Sequence, residues 1–275
     1  MQIQVCSTAG ELVQVRTPDM DVHVSAPVDV FNRYAFAPRP GAETLGTKAR
    51  AAAERCLALG QSRLEPRPMF VVREGVISAG MGTSTADTIA AALTHARLAR
   101  LDLEREQLAR VVSSVERSDG IFYDGVCLVQ QGVGRLLKRF PAPAWRLLLL
   151  IPKTRLATEN ARPYSRRFSR AYAEILNTIL TDISEDDFIN CVNLSAELNA
   201  RVRDYEFYFD VKRMAKRFRA DGVGIAHTGS VVFLIYKGSA EFDSCRTRLI
   251  EVLNARYALD RIIAARFVRK SWDWL

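Results

Sequence analysis

Between Ser78 and Asp87 the chain reads Ser-Ala-Gly-Met-Gly-Thr-Ser-Thr-Ala-Asp, behind a β-type run at 69–73 and ahead of an alanine-rich helical stretch. A strand, a tight glycine turn and a helix in that order restrict the fold more than any other feature. Two glycines at alternate positions let the backbone turn sharply and approach a ligand closely. The start of a helix offers unpaired N–H groups and a partial positive charge. Thr83, Ser84 and Thr85 add hydroxyls, so the segment has the parts of a phosphate cradle. It is not a Walker A loop, because Gly-Lys-Ser/Thr is missing, and its glycine spacing is not that of a dinucleotide fingerprint. The competing reading is plain N-capping by Ser or Thr with no ligand.

The flanking pattern is mixed. Short β segments are expected at 2–6, 21–24 and 28–36, then a helix at 47–59 stopped by Gly60. Helices follow the glycine loop at 84–101 and 103–116, and strands at 126–130, 134–139 and 146–151. Later helices are expected at 168–180, 185–200, 209–220 and 240–256. A glycine turn at 221–224, a strand at 231–236 and a strand at 261–268 complete the pattern. Strands ahead of helices, twice over, predict an α+β protein of two lobes, divided near Pro152 into 1–152 and 153–275.

Composition removes several function classes. The 275 residues are 48% hydrophobic and 25% charged, which suits a globular chain with a large core. Lys and Arg number 39 against 31 Asp and Glu, a net charge of +8. The bases are scattered, densest at 162–170 and 212–219, and carry no nucleic-acid motif, so they read as solvated helix faces and nucleic acid is not an expected partner. The five cysteines lack any CxxC pair, which argues against a disulfide framework or a zinc site. No apolar run approaches the roughly 20 residues that span a bilayer, so no membrane association is expected. The opening residues show no basic region followed by an apolar stretch, and a cytoplasmic location is the expectation.

Four segments in order resemble one family. Gly80-Met-Gly-Thr-Ser-Thr-Ala86 is similar to the second motif of the GHMP kinases. Ser7-Thr-Ala-Gly-Glu-Leu-Val-Gln14 resembles their first motif, and Gly222-Val-Gly-Ile-Ala-His-Thr-Gly-Ser230 their third. Gly-Glu-Leu-Val-Gln, Ser-Thr-Ala-Asp, the Glu-x-x-Asp-Gly that ends at Gly120, and Ala-His-Thr-Gly-Ser together resemble the L-threonine kinases of cobalamin biosynthesis. The resemblance implies a two-lobed GHMP-kinase-like fold, with an N-terminal nucleotide-binding lobe and a C-terminal α/β lobe. It also implies ATP, Mg2+ and a small hydroxy amino acid as ligands, and a homodimer is compatible with it. The implied product is O-phospho-L-threonine. A related hydroxy amino acid or amino alcohol is the alternative acceptor. A GHMP-fold nucleotide-binding protein without catalysis is the alternative from another class, prompted by Val15 and Ala79, where the family usually has glycine and lysine.

The same resemblance implies the roles of individual residues. Gly80, Met81, Gly82, Thr83, Ser84 and Thr85 would bind the nucleotide phosphates, and Ser84 and Glu116 would hold the metal. Asp119 would either take the acceptor's proton or only orient its hydroxyl; a turn-forming Asp-Gly is the plain reading, and Asp124 is its rival. Glu11, His227, Thr228, Gly229 and Ser230 would face the substrate, with His227 orienting its loop rather than moving protons. Lys48 and the bases of 155–167 are candidates for an acceptor clamp, and Asn32 and Arg33 for the adenine pocket. His23 and His95 are expected on strand and helix surfaces.

Overall fold

The computed structural model describes residues 1–17, 20–154 and 166–275. In chain order the strands are β1 (Gln2–Thr8), β2 (Val13–Arg16), β3 (Asp21–Ser25), β4 (Pro27–Ala35), β5 (Glu43–Thr44), β6 (Phe70–Arg73), β7 (Val126–Gln130), β8 (Arg135–Phe140), β9 (Arg146–Pro152), β10 (Gly222–Ile225), β11 (Val232–Tyr236), β12 (Leu259–Arg266) and β13 (Trp272–Trp274). The helices are α1 (Thr47–Leu59), α2 (Thr83–Leu98), α3 (Arg105–Val115), α4 (Ser169–Leu180), α5 (Glu185–Arg203), α6 (Glu206–Arg217) and α7 (Ser239–Arg256).

The strands form antiparallel sheets in the orders β13-β1-β4-β6-β5, β2-β3-β7-β8 and β10-β11-β9-β12. The first sheet is covered by α1, α2 and α3 through Ile3, Val5, Tyr34 and Val71. Alanine explains how the helices fit there. Ala86, Ala90 and Ala91 of α2 and Ala49, Ala52 and Ala53 of α1 are all buried, and their small side chains let two helices and a sheet share one core. α2 is thereby enclosed on nearly every side, which fixes its first turn in space.

The apolar run of β9 is continuous because both of its faces are covered. Leu147, Leu149 and Ile151 pack with β2, β3, α4 and α5. Leu148 and Leu150 pack with α6, α7 and β11. Sheet membership does not respect a cut at Pro152: β9 lies between β11 and β12, and β13 returns from the chain's end to pair with β1.

Three local expectations are corrected. The turn expected at 221–224 is strand β10, in which Gly224 leaves room for the Phe233 ring of β11. His23 is buried, because both faces of β3 are covered, although its period-two alternation with Val22 and Val24 pointed it outward. His95 is buried as well. Its Nδ1–H donates to the Ala91 carbonyl at 2.8 Å and its Nε2 accepts from the Arg67 amide at 2.9 Å, so burial leaves neither nitrogen unsatisfied.

Candidate active site

The loop between β6 and α2 builds the site. Gly80 and Gly82 lie in the left-handed region, at φ +87° and +65°, which a side chain at either position would strain. Gly82 is the N-cap of α2 and no side chain caps that end, so the first-turn amides face the opening instead of a local partner. A Cβ on Gly82 would come within 2.9 Å of Asp119 Oδ2 and 3.1 Å of Thr8 Oγ1. The glycine therefore brings helix start and carboxylate side by side.

This loop lines a cleft of about 580 Å³ together with Thr47 and Lys48 at the start of α1, Glu116, Arg117 and Asp119 after α3, Arg16 and Thr228. Such a volume falls in the roughly 300–1,000 Å³ range of small-ligand sites. Gly80, Met81, Gly82, Thr83, Ser84 and Thr85 all contribute to its wall.

Glu116 ends α3 and turns inward, its side chain only 5% exposed. Its Oε2 accepts from Ser84 Oγ at 2.6 Å and from Lys48 Nζ at 2.7 Å, and its Oε1 from Thr85 Oγ1 at 3.4 Å. Ser84 and Glu116, 32 residues apart in sequence, thus meet directly. Lys48 is bonded to Glu116 in this arrangement. Thr85 Oγ1 also accepts from the Asp119 amide at 3.0 Å. Burial, and after it the carboxylates of Glu11 and Glu116, push the Asp119 carboxyl well above the usual range. Asp124 is not in the cleft; it pairs with Arg105 at 2.7 Å.

The residues of the late loop divide. Thr228 lines the cleft, and its Oγ1 donates to Glu11 Oε1 at 3.2 Å. Glu11 is buried, and its other oxygen accepts from the His227 amide at 2.9 Å, so its carboxylate is spent on this loop. The His227 ring is buried between Ser195, 3.3 Å from Nε2, and the Gln14 amide, 3.3 Å from Nδ1. Burial first, then the Arg203 and Arg16 cations, depress its pKa far below the usual value, and the ring is neutral. Its contacts suit orientation rather than proton transfer. Gly229 presses on the Ala79–Gly80 backbone, and Ser230 is fully buried with its amide donating to the Ala79 carbonyl at 2.9 Å. These two residues support the loop from behind and do not line the cleft.

Asn32 is buried and donates to Ser7 Oγ at 3.1 Å, and Arg33 pairs with Glu74; neither reaches the cleft. The run 155–165 lies outside the described residues. Arg16, Arg73 and Arg117 line the cleft without having been singled out by the sequence. Arg73 ends the strand that feeds the glycine loop, and that position was its only signal; it grips Asp87 bidentately at 2.7 and 2.8 Å. Arg203 had no signal at all. From the end of α5 it donates to the carbonyls of Ala226 at 2.9 Å, His227 at 3.2 Å and Gly229.

The donor set suits a hard divalent cation: a carboxylate, a hydroxyl and an adjoining cradle for phosphate oxygens. Among the described residues no three His, Cys, Asp or Glu side chains cluster for a metal, so most of such an ion's oxygens would come from phosphate and water. Among the same residues no helix is long and apolar enough to cross a membrane.

Comparison with known proteins bears on the fold. The model of the GHMP kinases N terminal domain matches residues 50–125, the span that carries the glycine loop, α2, Glu116 and Asp119. No curated protein sequence matches the chain. Mevalonate kinase from Methanococcus jannaschii superposes with a TM-score of 0.74 at 14% identity, over 98% of this chain and 98% of that one. Mevalonate pyrophosphate decarboxylase from Streptococcus pyogenes gives 0.71 at 12% identity, over 98% and 96%. Homoserine kinase from Cytophaga hutchinsonii gives 0.65 at 14% identity, over 99% and 96%. Likeness at these identities is one of fold. The chain has the mixed helix-and-sheet, two-lobed fold of the GHMP kinases, and its residues 50–125 match that superfamily's N-terminal domain.

Proposed function

We propose that the chain is an ATP- and Mg2+-dependent kinase that phosphorylates the hydroxyl of a small hydroxy amino acid, converting L-threonine to O-phospho-L-threonine. One observation carries the reading: the uncapped start of α2 opens onto the same cleft as the Ser84–Glu116 pair and the Asp119 carboxyl. The choice of acceptor rests on the four motifs that resemble the L-threonine kinases.

ATP would supply the phosphoryl group, and magnesium would screen its charge. Every other part of the chemistry falls to residues of the chain. The α2 amides and the hydroxyls of Thr83 and Ser84 would hold phosphate oxygens, aided by the helix dipole. Ser84 and Glu116 would hold the cation. Lys48, now on Glu116, would be released toward the phosphates once that carboxylate had another positive partner. Asp119 would take the proton of the acceptor hydroxyl on a carboxylate oxygen as the hydroxyl oxygen bonds the γ-phosphorus and the bond to the departing ADP breaks. Its raised pKa makes the ionised form a better proton acceptor than an ordinary carboxylate. Glu11, through His227 and Thr228, would set the wall opposite.

The test is ADP formation by the purified chain with Mg2+, ATP and a panel of hydroxy amino acids and amino alcohols. The expected result is turnover that requires L-threonine and gives O-phosphothreonine. Asp119→Asn should lower kcat by about 100-fold or more if the carboxyl is the base. Nucleotide binding with no turnover anywhere in the panel would show a binding protein in place of a kinase.

A further inference from the structure

We infer that Arg16 and Arg117 form the subsite that recognises the acceptor, and that they do so by binding its carboxylate. The inference rests on the kinase reading and adds the group by which the acceptor is held.

Among the described residues four cations line the cleft: Arg16, Lys48, Arg73 and Arg117. Two of them are committed. Lys48 lies on Glu116 at 2.7 Å. Arg73 has both terminal nitrogens on Asp87, and its Nε on Glu43 at 3.0 Å. Arg16 and Arg117 differ. Among the described residues their only ion-pair partner is the single carboxylate of Asp21, 3.2 Å from Arg16 Nε and bonded to Arg117 Nη2. Their other contacts are neutral amide oxygens. Gln14 accepts from Arg16 Nη2 at 2.9 Å, and Gln131 accepts from Arg117 Nη2 at 2.8 Å. Two guanidiniums against one carboxylate leave one positive charge on the cleft wall.

The neighbourhood registers that charge. His23 is pushed down to about 4, first by burial and then by the Arg117 and Arg16 cations. Arg16 is also among the causes that depress His227. Both rings are thus neutral at pH 7 and add no positive charge to the patch.

The excess matches a monoanion better than a phosphate dianion, and a guanidinium fork fits a carboxylate with paired donors. Arg117 and Asp119 are two residues apart and both line the cleft, so a hydroxy acid whose carboxylate rests on the Arg117 guanidinium lies in the same cleft as the Asp119 carboxyl. Arg117 is 58% exposed and Arg16 19%, so the Arg117 guanidinium is the one open to an incoming ligand, which would share it with Asp21 and Gln131.

Binding isolates this claim from the chemistry. Isothermal titration of the whole chain, with Mg2+ and a non-hydrolysable ATP analogue present, compares L-threonine with L-threoninol. The alcohol keeps the hydroxyl and the amine but lacks the carboxylate. L-Threonine should bind at least about tenfold tighter, the scale of one charge-assisted pair. Arg117→Met should remove that advantage while affinity for the analogue stays within about twofold. Arg117→Lys, which keeps the charge without the fork, should fall between, with KM for L-threonine raised more than kcat is lowered. Equal binding of the two acceptors, or unchanged L-threonine binding in Arg117→Met, overturns the subsite. So does binding of the analogue with no binding of L-threonine, L-serine or L-homoserine. Failure to bind the analogue at all overturns the kinase reading itself, and the subsite with it.

Discussion

The two glycine- and hydroxyl-rich loops, 78–85 and 226–230, have nearly the same composition and opposite uses. In the first, Gly82 begins α2 without a side-chain cap, and Ser84 and Thr85 turn toward Glu116 in the cleft. In the second, the backbone polar groups are mostly engaged inward. Arg203 donates to three of its carbonyls, the Tyr205 hydroxyl donates to the Ser230 carbonyl at 2.7 Å, and the His227 amide donates to Glu11. The amides of Ser230 and Val231 both donate to the Ala79 carbonyl, at 2.9 and 3.0 Å. Composition cannot separate a loop whose donors remain open from one whose donors are used. What separates them is the neighbouring element: a helix start in one case, a partly buried guanidinium and a strand in the other. The second loop is a strut beneath the first.

Substitutions at one glycine in each loop should break the comparison most sharply. Gly82→Val puts a β-branched residue at φ +65° and a Cβ against Asp119 and Thr8. It should abolish binding of an ATP analogue while the chain still melts cooperatively. Gly229→Ala drives a methyl into the Ala79 carbonyl and the Gly80 amide. It should lower Tm strongly and weaken nucleotide binding only as a consequence. Calorimetry and titration on the two variants decide the matter. If Gly229→Ala melts like the parent yet fails to bind, the late loop touches ligand and the contrast is false.

Arg203→Met comes next. The variant leaves buried carbonyls of 226–229 without their donor, a loss of about 1–3 kcal/mol. Part of that is offset, because burial already disfavours the Arg203 cation and depresses its pKa. The midpoint of urea unfolding should fall at an unchanged slope. An unmoved midpoint would mean that the strut stands without its guanidinium.

Much of this was legible in the residues. The span of α1 follows from its Ala-rich run and Gly60, and the meeting of Ser84 with Glu116 follows from placing two helix ends side by side. The strand expected at 146–151 is β9, whose apolar run the structure covers on both faces. The misreadings share a cause. Alternation in β3 places His23 opposite its valines, but it does not say that the second face is also covered. Glycines in β10 signal a turn until the Phe233 ring that fills their space is known. Arg16, Arg117 and Arg203 carry no local mark, because their roles come from contacts such as Arg203 with Gly229, 26 residues along the chain. Periodicity reports what a segment does to itself, and these roles depend on what is packed against it.

The smallest expected effect concerns His23 and His227, two of the three buried histidines, and it sharpens the comparison because only one of them belongs to a loop. His23 and His227 both have depressed pKa values in the folded chain, His23 at about 4. The unfolded chain takes up a proton near the ordinary value of about 6.5, whereas folded His23 does so only near 4. Their contribution is therefore present above pH 6.5 and is lost as pH falls from there, at a ceiling of about 1.4 kcal/mol per pH unit for each ring. Asp119 works the other way, since its raised pKa lets the folded state gain protons as pH falls. The wild-type slope is thus a sum, and only variants separate its parts. Among the described residues neither ring nitrogen of His23 has a hydrogen-bond partner, so His23→Met should flatten the acid slope at little cost at pH 7. His227→Gln removes a ring held between Ser195 and Gln14, and it should flatten the slope and also lower stability at pH 7. Urea midpoints at pH 7 and pH 5 read both effects. Equal losses at pH 7 in the two variants would mean that His227 is no more tied to the strut than His23 is to its strand, and the inward wiring of the second loop would then rest on Arg203 and Glu11 alone.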